Sequence, residues 1–318
     1  MNLFRSVRAV TTASGDGHVD WAAAAEAAKA STDPGALDLT AEDRDGYAAD
    51  VRDARSRLQS VGDVEFDLPR TVEVQNRHHW IDANVRTFER VMAPLETHAP
   101  EVLPGVTRIV NSGTMSVMLA FLAKHVLGQY DPLLLAEDDD DHGLYFVHPN
   151  IVTVAGTLDV DYPRFRRWIA FHEVAHAAEF GAAPWLSDHL ERRMERGLEA
   201  LASGEIDQEA FRELDATMTA VEGYAELLMD RAFDAEYADL RAKLDARRQG
   251  GGPLAKLLRR LLGLGLKRRQ YERGAAFFEA IADAEGVAAA SAVWDAPANL
   301  PTDEELDAPR LWLRRVRP

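Results

Sequence analysis

His172-Glu173-Val174-Ala175-His176 decides how this chain is read. The five residues lie in a segment that starts after Pro163 and repeats apolar residues at helical spacing through Trp168, Ile169, Phe171, Val174 and Phe180. Four residues make about 1.1 turns of α-helix, so imidazoles at that spacing leave one face, one turn apart. Two neutral imidazole nitrogens placed this way can take adjacent corners of a zinc tetrahedron at about 2.0–2.1 Å each. Glu173 points about 100° away from His172 and can reach a metal-bound water without being a ligand. Gly181 offers the helix an end. Chance supplies such a pattern in about one chain in 40 of this composition, so the setting matters: a well-formed helix behind a candidate strand. The other reading is a buried or solvated pair of helical histidines.

A catalytic zinc needs a third protein ligand and one open position. The chain has no cysteine, so that ligand is His, Asp or Glu. The longer HExxHxxGxxH pattern is absent, because Glu179 and Ala182 stand at its glycine and last histidine. His189 is the last histidine of the chain. A better source is Glu222-Gly223-Tyr224-Ala225-Glu226-Leu227-Leu228-Met229-Asp230, within a helical segment that begins at Asp207. Glu222, Glu226 and Asp230 share one stripe at i, i+4 and i+8, where like charges repel and ask for a cation. Glu222 is the expected third ligand, with Glu226 or Asp230 holding a histidine ring from behind. Glu226, Asp230 and His189 stay open as alternative ligands, and a solvated acidic face is the plainer reading of the stripe. Gly223 costs helix propensity, which suits close packing against the motif helix.

These roles imply a mechanism. Zinc lowers the pKa of its bound water toward about 7, and Glu173 takes the proton. The hydroxide attacks an acyl carbon, and Glu173 returns the proton to the leaving amine. Tyr224, His189 and His148 are the candidates to steady the oxyanion. Tyr224 is the catalytic candidate among them, although it could equally pack.

The bulk composition narrows the class. At 318 residues and 47% hydrophobic the chain can bury one large core or two modest ones. No run of 18 apolar residues exists, so no membrane span is expected. Met1 to Gly17 lacks the apolar core and cleavage site of a secretory signal, and a cytoplasmic location is expected. The formal net charge is −17, with 5 Lys, 31 Arg, 29 Asp and 24 Glu. A carboxylate-rich, lysine-poor surface suits high salt, where self-repulsion is screened, so a halophilic source is expected. The same charge argues against nucleic acid as a partner.

Along the chain, Val19–Ala30, Ala41–Gln59, Arg77 to about Leu95 and Ser112–Leu127 read as helices, the last ending at Gly128. Leu133–Ala136 and Leu144–Val154 are the strand candidates, with Pro149 demoting the second to an edge or interrupting it. Helices follow over Arg164–Phe180, Pro184–Ala202 and Asp207–Leu244, then a break at Gln249–Pro253. The expected architecture is mainly α with a small β-sheet (α+β). A helical region over 1–130 precedes a metal-binding core over 131–318, the two packed as one unit. Asp138–Asp141 lacks the spaced ligands of a calcium loop and reads as a solvated loop. His78-His79 beside Trp80 reads as packing or capping. Leu254–Lys267, with its leucine pairs and arginines, reads as a core helix with snorkelling arginines rather than a membrane-surface helix.

The motifs together resemble one family. Val126-Leu127-Gly128-Gln129-Tyr130-Asp131-Pro132, Phe146-Val147-His148-Pro149-Asn150-Ile151 and Phe171 to His176 are similar to the zincin-like metallopeptidases of actinobacteria and archaea. Arg77-His78-His79-Trp80-Ile81 with Asn84, Glu222-Gly223 with Ala225-Glu226, Gln270-Tyr271 with Gly274, and Leu300-Pro301-Thr302 extend the likeness over residues 77–318. The weaker N-terminal pattern also fits. The resemblance implies a zincin core with His172 and His176 on zinc, Glu173 as base and Glu222 as third ligand. It departs at Tyr224, where the family often carries histidine. One branch is associated with biosynthesis of a deazaflavin redox coenzyme, and the chain resembles that branch most. The expected activity is a gluzincin-type zinc hydrolase of peptide or related amide bonds, with a glutamylated coenzyme as a possible small amide substrate. The alternative is a non-catalytic zincin-fold partner or scaffold for coenzyme biosynthesis, against which the intact Glu173 argues.

Overall fold

The computed structural model describes residues 17–62, 64–98, 104–131, 143–233, 237–249 and 264–317. In chain order the elements are α1 (Trp21–Ser31), α2 (Ala41–Gly62), β1 (Thr71–Gln75), α3 (Arg77–His98), α4 (Pro104–His125), β2 (Gly128–Asp131), β3 (Gly143–Val147), α5 (His148–Leu158), α6 (Tyr162–Ala182), α7 (Leu186–Ala202), α8 (Gln208–Ala232), α9 (Ala238–Gln249), α10 (Leu264–Glu285) and α11 (Val287–Ser291). Two 3₁₀ turns, α12 (Asp303–Asp307) and α13 (Pro309–Val316) follow. The fold is mostly helical with one small mixed sheet, as expected.

Two compact units form. The first draws on residues 1–39, 71–154 and 194–207, the second on 40–70, 155–193 and 208–318. In the first unit the sheet order is β1-β3-β2, with β1 parallel and β2 antiparallel to β3. Buried Ala25 and Ala28 of α1 join Trp80, Ile81, Leu119, Ala123 and Val147 in its core. Alanines on the buried side of α1 leave room for α4 to come close.

The second unit carries the H-E-x-x-H helix, α6. Asp161 caps it, accepting from Arg164 N at 3.0 Å, and Pro163 occupies its first turn, where a missing N–H costs nothing. Its buried face carries Phe165, Phe171, Val174 and Ala175. A buried ion pair, Arg166 Nε to Asp50 Oδ2 at 2.7 Å, ties α6 to α2. On its other side α6 packs on α8, and α8 on α10. A methyl at Gly223 would fall 2.3 Å from the carbonyl carbon of Gly274, so two helix backbones touch where no side chain fits.

Several boundaries differ from the sequence expectation. The apolar run Leu144–Val154 is strand only to Val147 and continues as α5. Pro149 sits in the first turn of that helix, where its fixed φ is suitable, rather than interrupting a strand. Asn150 beside it donates to Ala123 O and Val126 O, satisfying carbonyls at the end of α4. The expected helix from Ser112 starts earlier, at Pro104, and Gly128 opens β2 instead of capping α4. The expected helix Asp207–Leu244 is two, α8 and α9. α6 runs through Gly181 to Ala182. Leu133–Ala136, Asp138–Asp141 and Gly250–Gly263 lie outside the described residues. No helix of the described residues is long and apolar enough to cross a membrane.

Candidate metal centre

His172 and His176 project from α6 toward Glu222 on α8, and one ligand atom from each lies within 4.8 Å of the others. The two imidazole centroids are 4.7 Å apart, nearly edge to face. His176 Nε2 is 3.9 Å from Glu222 Oε2. Ligands bound at about 2.0–2.1 Å in a tetrahedron sit about 3.4 Å from one another, so a small contraction closes this set around zinc. Glu222 is buried while both histidines are half-buried, which leaves the cluster one side facing solvent.

The electrostatics favour a cation. Desolvation acts to lower the pKa of His176, but the carboxylates of Glu179, Glu222 and Glu173 overcome it and hold the ring up to about 9. Burial pushes the Glu179 carboxyl up to about 7 against the pull of His176. The carboxylates around His176 favour positive charge at the place where a metal could sit. Two imidazoles and a carboxylate with one open side are the donor set of catalytic zinc sites such as His₂Glu. The residues fit the ion.

Other expected site residues fall in several places. Glu173 is buried on the next position of α6, beside the cluster. Glu226 and Asp230 both accept from Arg241 of α9, so the lower part of the acidic stripe is compensated by arginine. His189 is buried against Trp185 and near Thr217 Oγ1, at 3.5 Å; burial and then Arg193 lower its pKa to about 4. It is not a member of the ligand cluster. Tyr224 lies in the core of the second unit. It follows Glu222 by two residues, hence about 200° around α8. Its hydroxyl bonds Ser291 Oγ at 2.8 Å, and its ring packs edge-on to Phe278 and Trp294. Burial pushes the phenol well above its ordinary value, so Tyr224 is a neutral core residue. His148 begins α5 and belongs to the first unit.

Sequence reasoning missed Glu179. Its Oε2 is within hydrogen-bond distance of His176 Nδ1, at 2.9 Å. The signal was present: an acid three residues after a ligand histidine shares its helix face. It was read only as a departure from the longer histidine motif.

A family model described as zincin-like metallopeptidase matches residues 19–207 and 197–313. A solved structure described as "a putative hydrolase with a novel fold from Chloroflexus aurantiacus" is 28% identical, with a TM-score of 0.73. The alignment covers 99% of this chain and 98% of that one. Comparison with curated proteins gives no match.

Proposed function

Because the chain belongs to the zincin-like metallopeptidase family, we propose that it is a gluzincin-type zinc hydrolase acting on peptide or related amide bonds. The observation that carries this reading is the convergence of His172, His176 and Glu222, with Glu173 between the two histidines. His172 and His176 would hold zinc through ring nitrogens and Glu222 through a carboxylate oxygen. When bound, zinc supplies Lewis-acid polarisation and makes a coordinated water acidic near neutral pH.

Glu173 is the proton carrier. Its carboxylate takes a proton from the attacking water as the carbon–oxygen bond forms. It then gives that proton to the amide nitrogen as the carbon–nitrogen bond breaks, so the products are a carboxylic acid and an amine. Burial of Glu173 keeps bulk water from competing for the proton. Glu226 stands one turn from Glu222 on the same face, where Arg241 engages its carboxylate.

In sequence the chain resembles the deazaflavin-associated branch of the family. Glutamylated coenzyme amides are therefore the second substrate class after peptides. A screen of both classes with the zinc-loaded chain and Glu173→Gln tests the reading. The expected result is turnover of one class, reduced about 10²–10⁴-fold in Glu173→Gln at unchanged zinc content. Equal turnover by Glu173→Gln would refute the assigned base. No turnover of either class would favour a scaffold role.

A further inference from the structure

Glu179 is a carboxyl side chain removed entirely from water, at 0% exposure, in contact with the ligand His176. Such burial is costly unless donors and positive charge compensate it. The contact with His176 supplies the donor, and it comes from the same helix, three residues earlier. It also determines which ring nitrogen is available. With Nδ1 engaged by Glu179, Nε2 is the atom that faces Glu222 at 3.9 Å. A carboxylate that accepts from one imidazole nitrogen keeps the hydrogen there and leaves the other nitrogen as a lone-pair donor.

We propose that Glu179 is a positioning residue: it holds His176 in the Nδ1–H form with Nε2 toward the ligand cluster, and its buried negative charge raises affinity for a divalent metal. This inference rests on the metal reading given above. Glu179 carries no bond to the reacting atoms. Its effect passes through His176 and through the charge balance of the site, where a divalent ion offsets Glu222 and Glu179 together.

The test uses the full chain as wild type, Glu179→Gln and Glu179→Leu. Three quantities are measured: Zn²⁺ affinity by chelator competition, the melting temperature of the metal-free protein, and the His176 ring tautomer by ¹⁵N NMR. The Leu variant should bind Zn²⁺ about 10–100-fold more weakly. The Gln variant keeps an acceptor oxygen but no charge, so it should fall between wild type and Leu and retain the Nδ1–H ring. Both metal-free variants lose the charged Glu179–His176 contact and should melt at or below wild type. Zn²⁺ affinity unchanged in both variants, while wild type binds, would overturn the role of Glu179 alone. A lower metal-free melting temperature with unchanged affinity would overturn it too, in favour of a merely structural residue. Wild type that takes up no Zn²⁺ would overturn the metal reading and this inference together. If the Leu variant fails to fold, Gln decides, and wild-type affinity there would refute the charge effect.

Discussion

Gly223→Ala is the substitution whose cost the packing states most directly. The added methyl would lie 2.3 Å from Gly274 C, 2.4 Å from its Cα and 2.7 Å from its O. Ordinary carbon–carbon contact is about 3.5–4.0 Å, so α8 and α10 must separate by about 1 Å at their crossing. The obstacle is helix backbone, which cannot turn aside as a long side chain would. Overpacking of this kind costs about 1–3 kcal/mol, and backbone obstacles put it at the upper end. Alanine regains up to about 1 kcal/mol of helix propensity, leaving a net loss of about 2 kcal/mol. A melting temperature lower by about 4–8 °C is then expected. Glu222 is the adjacent residue, so the same separation displaces a proposed ligand, and zinc affinity should fall with stability. Gly156→Ala in α5 is the control, since nothing lies within 4 Å of its Cβ position. It should be neutral or stabilising by about 0.5–1 kcal/mol. Thermal melting and chelator competition on both variants read these quantities. A Gly223→Ala protein as stable as wild type would refute the reasoning, because helix propensity alone would then have governed the site.

Three other outcomes follow from the same structure. Arg166→Met leaves Asp50 buried without its guanidinium and should cost about 3–5 kcal/mol, while Arg166→Met with Asp50→Leu should recover much of it in chemical denaturation. Burial acts to raise the pKa of Glu305, but Arg315 at 2.7 and 2.8 Å and the Thr302 capping box hold it below the ordinary 4.5. A depressed carboxylate stabilises the fold above its unfolded pKa and loses that contribution as pH falls through the folded one. Melting curves for Glu305→Gln and wild type should therefore converge as pH falls below the ordinary carboxylate range and separate above it. With a net charge of −17, the melting temperature should rise with KCl as repulsion is screened; a flat series would remove the halophilic reading.

The metal cluster was legible because its chemistry is local. Five residues on one helix place two imidazoles on one face, and Pro163 marks where that helix begins. Glu222 was legible as part of a charge stripe that a lone helix would avoid. The ring partner of His176 was less so, because choosing among acids needs to know which side chains Arg241 occupies. Tyr224 could have been placed by helix arithmetic alone, being two residues from Glu222. Strand β1 was missed: Thr71–Gln75 is short, and Val72 and Glu73 on it are both exposed. The join of β3 to α5 was hidden because a short apolar run reads alike as buried strand or buried helix. The motif residues Trp80, Asn84 and Gln129 serve the first unit. Trp80 Nε1 donates to Gln129 Oε1 at 2.8 Å, Gln129 Nε2 to Asn84 Oδ1 at 2.9 Å, and Asn84 Nδ2 to Trp80 O at 2.9 Å. His78 meets Thr32 O at 2.8 Å and Asn76 accepts from His79 N, which is the packing and capping read from that segment.

The most direct test of the metal centre is zinc per chain by elemental analysis, for wild type and Glu222→Ala purified side by side in high salt. About one zinc per wild-type chain, and much less in the variant, is the predicted result. Full zinc in Glu222→Ala would move the third ligand elsewhere. A wild-type chain that holds no zinc after the metal is added back would contradict the centre itself.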